Sequence, residues 1–223
     1  MGKIKTRLLL IGALLGAFVL VFLLSRADKW TSQKENTRLL TLVSREHPLD
    51  KEVNPEFALT DDGYMVDVRC APLLEQMLSD GRAAGREIVV VAAYISPYEQ
   101  QSLFDEKVQE LVGAGMSEEA AQSEAARTVP APRTSEHELG LAVDLADAGY
   151  PTLDGQQVTT DAQRWLSENS WRYGFIQRYP EGKSAVTGED YTPWHYRFVG
   201  EEAAAQIHEL NITLEEYIEM FYS

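Results

Sequence analysis

The 223-residue sequence is poor in cysteine and in basic residues. Its single cysteine, Cys70, can form neither an intramolecular disulfide nor a thiolate metal site. With 20 Lys and Arg against 35 Asp and Glu, the net charge is −15. A nucleic-acid partner is therefore not expected, because binding to phosphates requires a basic surface. Internal repeats and low-complexity tracts are also lacking, and a hydrophobic content of 44% is typical of a globular domain.

One long hydrophobic run lies near the N-terminus. A basic segment precedes an uncharged apolar run from Leu8 to Leu24. This run is close to the lower limit for a membrane-spanning helix and longer than most signal-peptide cores, although a cleaved signal peptide is the alternative interpretation. The basic flank predicts that the N-terminus is cytoplasmic and the remainder extracytoplasmic. The predicted organisation is a flank at 1–7, a membrane anchor at 8–25, a polar linker at 26–38 and one domain at 39–223.

Apolar patterns after the linker predict strands interleaved with helices. β-Branched or apolar runs predict strands at 39–43, 87–95, 139–146, 173–179 and 192–199. Helical spacing and N-cap residues predict helices near 71–84, 97–112, 117–127 and 161–170, and two more after residue 200. This order favours an α+β domain with a small antiparallel sheet and flanking helices.

Two histidines and one aspartate form a candidate metal-ligand set. His137 and Asp144 lie seven residues apart in SEHELGLAVD, and His195 follows in TPWHYRFVG. Two imidazoles and one carboxylate would leave the fourth position of a zinc ion open for water, as in catalytic zinc sites. On residue types alone, a chance grouping of histidines near acids remains the alternative.

The residue pattern of these motifs resembles that of the VanY-type D-alanyl-D-alanine carboxypeptidases. The pattern S-x-H-x-x-G-x-A-x-D followed by P-W-H-x-R-x-V-G carries the resemblance, which extends from about residue 39 to the C-terminus. It implies a zinc peptidase of bacterial cell-wall metabolism acting on peptidoglycan stem peptides. It further implies that His137, Asp144 and His195 bind Zn²⁺. The substrate-binding residues that it implies are Ser135, Gln101 and Trp194.

Two positions depart from the pattern of this family. The glutamate that the family uses as general base, in E-P-W-H, is replaced by Thr192, which cannot act as a base near neutral pH. The arginine that receives the substrate carboxylate, in Y-R-S, is replaced by Ile95. We therefore expect hydrolysis to be weak or lost.

Three interpretations follow from these substitutions. The first is a membrane-anchored zinc peptidase that trims stem peptides. The second is a pseudopeptidase that holds a wall peptide or a protein partner without cutting it. The third is a membrane-proximal domain in which zinc only stabilises the fold.

Overall fold

The structure is a computed structural model that describes residues 38–222. The predicted flank at 1–7, the anchor at 8–25 and nearly all of the linker lie outside the described residues. Within residues 38–222, no helix is both long and apolar enough to cross a membrane. The chain from Leu40 onward forms one compact unit.

A four-stranded antiparallel sheet forms the centre of this unit. In chain order its strands are β3 (Ile88–Ala92), β4 (Ala142–Asp147), β5 (Phe175–Tyr179) and β6 (Thr192–Phe198), and their order in the sheet is β3-β4-β6-β5. Strand β4 lies inside the sheet and is buried along most of its length, which explains its nearly continuous apolar sequence. Asp144 is the polar exception in the buried part of β4. Two shorter strands, β1 (Phe57–Leu59) and β2 (Met65–Asp67), pair as a separate hairpin.

Helices flank the sheet, and several of them begin at a serine or threonine whose side chain caps the N-terminus. The Ser96 hydroxyl accepts from the backbone of Glu99, whose carboxylate accepts from Ser96 in return. Thr160 accepts from the backbone of the residue three positions later. The helices are α1 (Ala71–Ala83), α2 (Pro97–Gly113), α3 (Glu118–Ala125), α4 (Asp161–Asn169), α5 (Ser184–Thr187), α6 (Glu201–Leu210) and α7 (Leu214–Tyr222).

The last two long helices cover one part of the sheet. Ile207 of α6 and Leu214 and Tyr217 of α7 are buried with Ile176 of β5 in one hydrophobic cluster. Burying a side chain of this size contributes roughly 1.5–3 kcal/mol. Packing against α6 and α7 therefore stabilises β5, which lies beside the strand that carries His195.

The α+β class and the small antiparallel sheet are confirmed. The predicted strand at 39–43 is wrong: residues 41–43 belong to no strand. Val43 is nonetheless fully buried, and the Thr41 carbonyl accepts from the Arg197 guanidinium at 3.0 Å. The apolar side chains of this segment are buried in the core. Its Thr41 carbonyl bonds to the Arg197 side chain and not to a partner strand, so the segment needs no strand pairing to satisfy this backbone group.

Candidate metal centre

Two central strands and one turn bring His137, Asp144 and His195 together. His137 lies on a 3-10 turn, Glu136–Leu139, which ends at Gly140 with a φ of +69° before the chain enters β4. A left-handed backbone conformation favours glycine, and a Cβ added at position 140 would also lie 3.2 Å from the Asp67 backbone nitrogen. Asp144 and His195 are directly opposed in the register between β4 and β6. The sheet pairing therefore sets the distance between these two ligands.

The three donor atoms lie close enough together to hold one metal ion. One ligand atom from each residue lies within 4.8 Å of the others. Asp144 Oδ1 is 2.8 Å from His195 Nδ1 and 3.4 Å from His137 Nε2. Ligands about 2.0–2.1 Å from a tetrahedral ion lie roughly 3.3–3.5 Å apart, so small adjustments would seat the metal. All three residues are buried.

The second nitrogen of each imidazole is held by a neighbour. His137 Nδ1 donates to the Ala93 carbonyl at 2.6 Å. His195 Nε2 lies 3.3 Å from Glu136 Oε2. These contacts leave His137 Nε2 and His195 Nδ1 facing Asp144, as expected when outer partners orient metal-binding histidines. The residues present therefore fit a zinc site.

A buried ion-pair network contacts His195 on the side of the ring away from Asp144. Glu136 Oε1 accepts from Arg178 Nε at 2.8 Å and from Arg197 Nη1 at 2.7 Å, and all three side chains are buried. Arg178 also bonds both carboxylate oxygens of Glu215. Burial favours the neutral acid, but the guanidiniums outweigh it and hold the pKa of Glu136 well below its usual range. Glu136 is thus an ionised anchor for the imidazole.

The electrostatics of the cluster favour a cation. Burial disfavours the imidazolium form of His195, but the carboxylates of Asp144 and Glu136 raise the pKa of this histidine to about 9 in the metal-free protein. The Tyr179 ring stacks on the His195 ring, with centroids 5.1 Å apart and planes inclined by 16°. A bound metal would supply the positive charge that the two carboxylates select.

The implied substrate-binding residues have different surroundings. Ser135 is buried immediately before the 3-10 turn, and Trp194 is half-buried immediately before His195 on β6. Gln101 is exposed, and its amide donates to Asp105 within helix α2 at 2.8 Å. The structure therefore does not bring Gln101 into the metal-ligand cluster. The neighbouring glutamine, Gln100, is the buried one of the pair.

The two positions that the resemblance implies are substituted lie near the candidate ligands, one in the chain and the other through a backbone hydrogen bond. Thr192 opens β6, and its hydroxyl donates to the Asp190 carbonyl at 2.9 Å. Ile95 follows β3, and its backbone N–H donates to the His137 carbonyl at 3.4 Å. The site thus has a complete ligand set, no carboxylate at position 192 and no guanidinium at position 95.

The network of Glu136 with Arg178 and Arg197 was not predicted from the sequence. Its signal was available, because both arginines occur inside strand patterns, in FIQRY and HYRFV. A buried charged side chain requires a charged partner. That partner is Glu136, which lies 42 residues from Arg178 and 61 from Arg197 in the chain.

Comparison with known proteins identifies the family. Residues 64–201 match the VanY profile, described as D-alanyl-D-alanine carboxypeptidase. This chain belongs to the VanY family. A D-alanyl-D-alanine carboxypeptidase of Enterococcus faecalis is 42% identical over 180 residues, which cover 80% of this chain and 65% of that protein. The VanY chain thus spans slightly less than two thirds of the length of this relative.

Solved structures of VanY proteins share the fold. VanYB in complex with D-alanine-D-alanine is 40% identical with a TM-score of 0.72, over 82% of this chain and 98% of that one. A vancomycin-resistance D,D-pentapeptidase VanY in complex with Zn(II) is 39% identical with the same TM-score, over 81% and 99%. The LD-carboxypeptidase LdcB is 30% identical, also at 0.72, over 81% and 86%. A VanY relative is therefore a zinc complex, and this chain carries a His/Asp/His cluster that could hold a metal ion.

Proposed function

We propose that this chain is a zinc-binding VanY domain that recognises peptidoglycan stem peptides and has lost efficient hydrolysis. The relatives that bind D-alanine-D-alanine and zinc support the ligand class. The three ligands His137, Asp144 and His195 support the metal. Zinc held there would polarise a peptide carbonyl and lower the pKa of its bound water to about 7.

The residue at position 192 carries the proposal. Thr192 has only a hydroxyl, and that hydroxyl donates to a backbone carbonyl. A positioned general base contributes roughly 10²–10⁴ in rate. Ile95 stands where the family resemblance implies an arginine. A substrate carboxylate would therefore lose a charge-assisted hydrogen bond of about 1.5–3 kcal/mol. The combined loss is on the order of 10³–10⁶ in kcat/KM.

Three of the neighbouring acids have other partners or face solvent. Glu136 is bound by two buried guanidiniums. Glu189 lies 3.5 Å from Arg45, and Asp190 is exposed. Glu189 is the half-buried acid nearest in sequence to Thr192, and burial raises its pKa. It is the residue to test if hydrolysis is found.

D-Alanine release from a muramyl pentapeptide ending in D-Ala-D-Ala tests this proposal. We expect the zinc-loaded full chain to release D-alanine at least 100-fold more slowly than an active VanY relative. Thr192→Glu, combined with Ile95→Arg, should raise chelator-sensitive release by about 10²–10⁴. Thr192→Gln in the same background is the matched control, because it has a similar size and no basic group.

Two outcomes would contradict parts of this account, the first the loss of hydrolysis and the second its cause. Chelator-sensitive release by the unmodified chain at the rate of an active relative would mean that another group replaces the base. Glu189→Gln would then show whether that group is Glu189. A double variant that binds zinc and remains inert would show that positions 95 and 192 alone do not silence the site, and would favour a domain that binds without cutting.

We also propose that the apolar run Leu8–Leu24 anchors the chain in the bacterial membrane with the VanY domain outside the cytoplasm. The proposal is supported by the basic flank before this run and by the cell-wall ligand class. The full-length chain should fractionate with membranes, and protease added to spheroplasts should digest the domain. Recovery of an intact domain in the culture medium would instead indicate cleavage after the run.

A further inference from the structure

One aromatic ring lies flat against a candidate metal ligand. The Tyr179 ring stacks on the His195 ring, with centroids 5.1 Å apart and planes inclined by 16°. The two nitrogens of this imidazole have other partners, since Nδ1 lies 2.8 Å from Asp144 and Nε2 lies 3.3 Å from Glu136. Tyr179 therefore contacts the face of the imidazole, whereas the two carboxylates contact its edges.

A contact on the face restrains a motion that the contacts at the edges restrain less. The carboxylates of Asp144 and Glu136 direct the two nitrogens of His195 within the plane of the ring. A histidine binds a metal ion through a nitrogen lone pair that lies in this plane, so the orientation of the ring matters for binding. A stacked ring opposes tilting of the imidazole out of the plane.

An irregularity in the sheet explains why Tyr179 lies on the same side as His195. The pairing of β5 with β6 shifts register between Gln177 and Tyr179, so that Tyr179 pairs with Thr192. In an unbroken antiparallel ladder Tyr179 would oppose Trp194, the neighbour of His195, and its ring would lie on the other face of the sheet. Irregularities of this kind redirect side chains next to functional sites.

The Tyr179 ring is itself held by a fixed cation. The guanidinium carbon of Arg178 lies 4.9 Å from the centre of the ring, within the range of a cation–π contact. Arg178 is buried and forms ion pairs with Glu136 and with Glu215 of α7. The tyrosine is therefore fixed from the sheet and from the last helix before it contacts the metal ligand.

We propose that Tyr179 is a positioning residue of the metal centre, and that its ring keeps the plane of His195 aligned with the metal ion. The inference rests on the zinc site of the proposed function and adds a residue that acts through a ligand. The aromatic ring carries this role, so the phenylalanine variant should retain it and an aliphatic variant should lose it.

The zinc affinity of full-chain variants tests the role of the ring. Tyr179→Leu removes the ring and keeps an apolar side chain, so the Kd for Zn²⁺, measured by competition with a chelating dye, should rise about three- to tenfold. Tyr179→Phe should restore the Kd of the unmodified chain. Phe175→Leu is the matched control, because Phe175 is a buried aromatic residue of the same strand that contacts Phe198. This control should lower the Tm and leave the Kd unchanged.

Cobalt(II) provides a signature that a residue important only for stability would not change. Co²⁺ can replace Zn²⁺ in such sites, and its visible absorption bands depend on the geometry of the ligands. The bands of Tyr179→Leu should shift and weaken relative to those of Tyr179→Phe, at a temperature at which circular dichroism shows both variants to be folded. Phe175→Leu should give the spectrum of the unmodified chain.

The outcomes separate the positioning role from the proposed function. If Tyr179→Leu keeps the Kd and the cobalt spectrum, or if Phe175→Leu changes them equally, the positioning role is refuted and the zinc site stands. If Tyr179→Leu does not fold, Tyr179→Met serves in its place, and failure of both to fold would assign Tyr179 to the core alone. If the unmodified chain binds no zinc, the proposed function fails and the positioning role fails with it.

Discussion

Replacing Glu136 by glutamine should both destabilise the domain and weaken its hold on zinc. The carboxylate joins two buried guanidiniums and the outer nitrogen of His195. Glutamine offers one neutral oxygen for these three donors. Removing one partner of a buried ion pair costs about 3–5 kcal/mol. Because Arg178 keeps Glu215, and Arg197 keeps the Thr41 carbonyl, we expect the lower end, about 3 kcal/mol.

Thermal unfolding in the presence of a chelator measures the loss of stability separately from the metal. For a domain of this size, about 3 kcal/mol corresponds to a decrease in Tm of roughly 6–12 °C. Zinc affinity, measured by competition with a chelating dye, should fall about 10–100-fold, because the partner that orients His195 has changed. Glu106→Gln is the control, since that exposed carboxylate has the same chemistry and a different environment.

The pH dependence of stability provides a second measurement on the same variant. The folded state depresses the pKa of Glu136, so its contribution is present above the usual value of 4.5 and is lost as the pH falls below it. The free energy of unfolding should therefore decline less steeply below pH 4.5 in Glu136→Gln than in the unmodified chain. Our account of the network is refuted if Glu136→Gln and Glu106→Gln differ by less than about 1 kcal/mol at pH 7.

Three further predictions concern other parts of the domain. Burial raises the pKa of the Cys70 thiol to about 12, so a disulfide reagent at pH 8 should react with it only after denaturation, and rapid labelling of the native chain would contradict its burial. Gly174 has a φ of +80°, and an added Cβ would lie 2.6 Å from Phe198 Cε2. Gly174→Ala should therefore lower the free energy of unfolding in urea by more than about 1 kcal/mol, and an unchanged urea midpoint would contradict this strain. Burial and a hydrogen bond to Asp80 raise the pKa of Tyr173 to about 12, so the free energy of unfolding should fall as the pH rises from 10 to 12. Tyr173→Phe should make that decline less steep, and an unchanged decline would show that the hydrogen bond has no role.

Local patterns predicted the sheet and most helices because each element carries its own signal. The β-branched run at Ile88–Ala92 and the serine and threonine caps depend on residues only a few positions apart. The hairpin of β1 and β2 was not predicted, since strands of three residues are too short to show alternation. The strand predicted at 39–43 was wrong because apolar residues alone do not distinguish a strand from a buried irregular segment.

The cluster of candidate metal ligands could be predicted from the sequence, but the side chains that support it could not. The motifs named His137, Asp144 and His195, and the sheet register then brought the last two face to face. The partners of Glu136 lie far away in the chain, and no local pattern pairs one buried charge with another across the fold.

The opposition of Asp144 and His195 in the sheet has a consequence for how this site can change over time. Both residues lie inside paired, buried strands, so replacing either alters the middle of the sheet as well as the metal centre. Thr192 lies at the half-exposed start of β6, where a substitution disturbs little of the fold. Mutational drift can therefore change position 192 while the metal-binding scaffold persists, because selection for folding constrains Asp144 and His195 more strongly than Thr192.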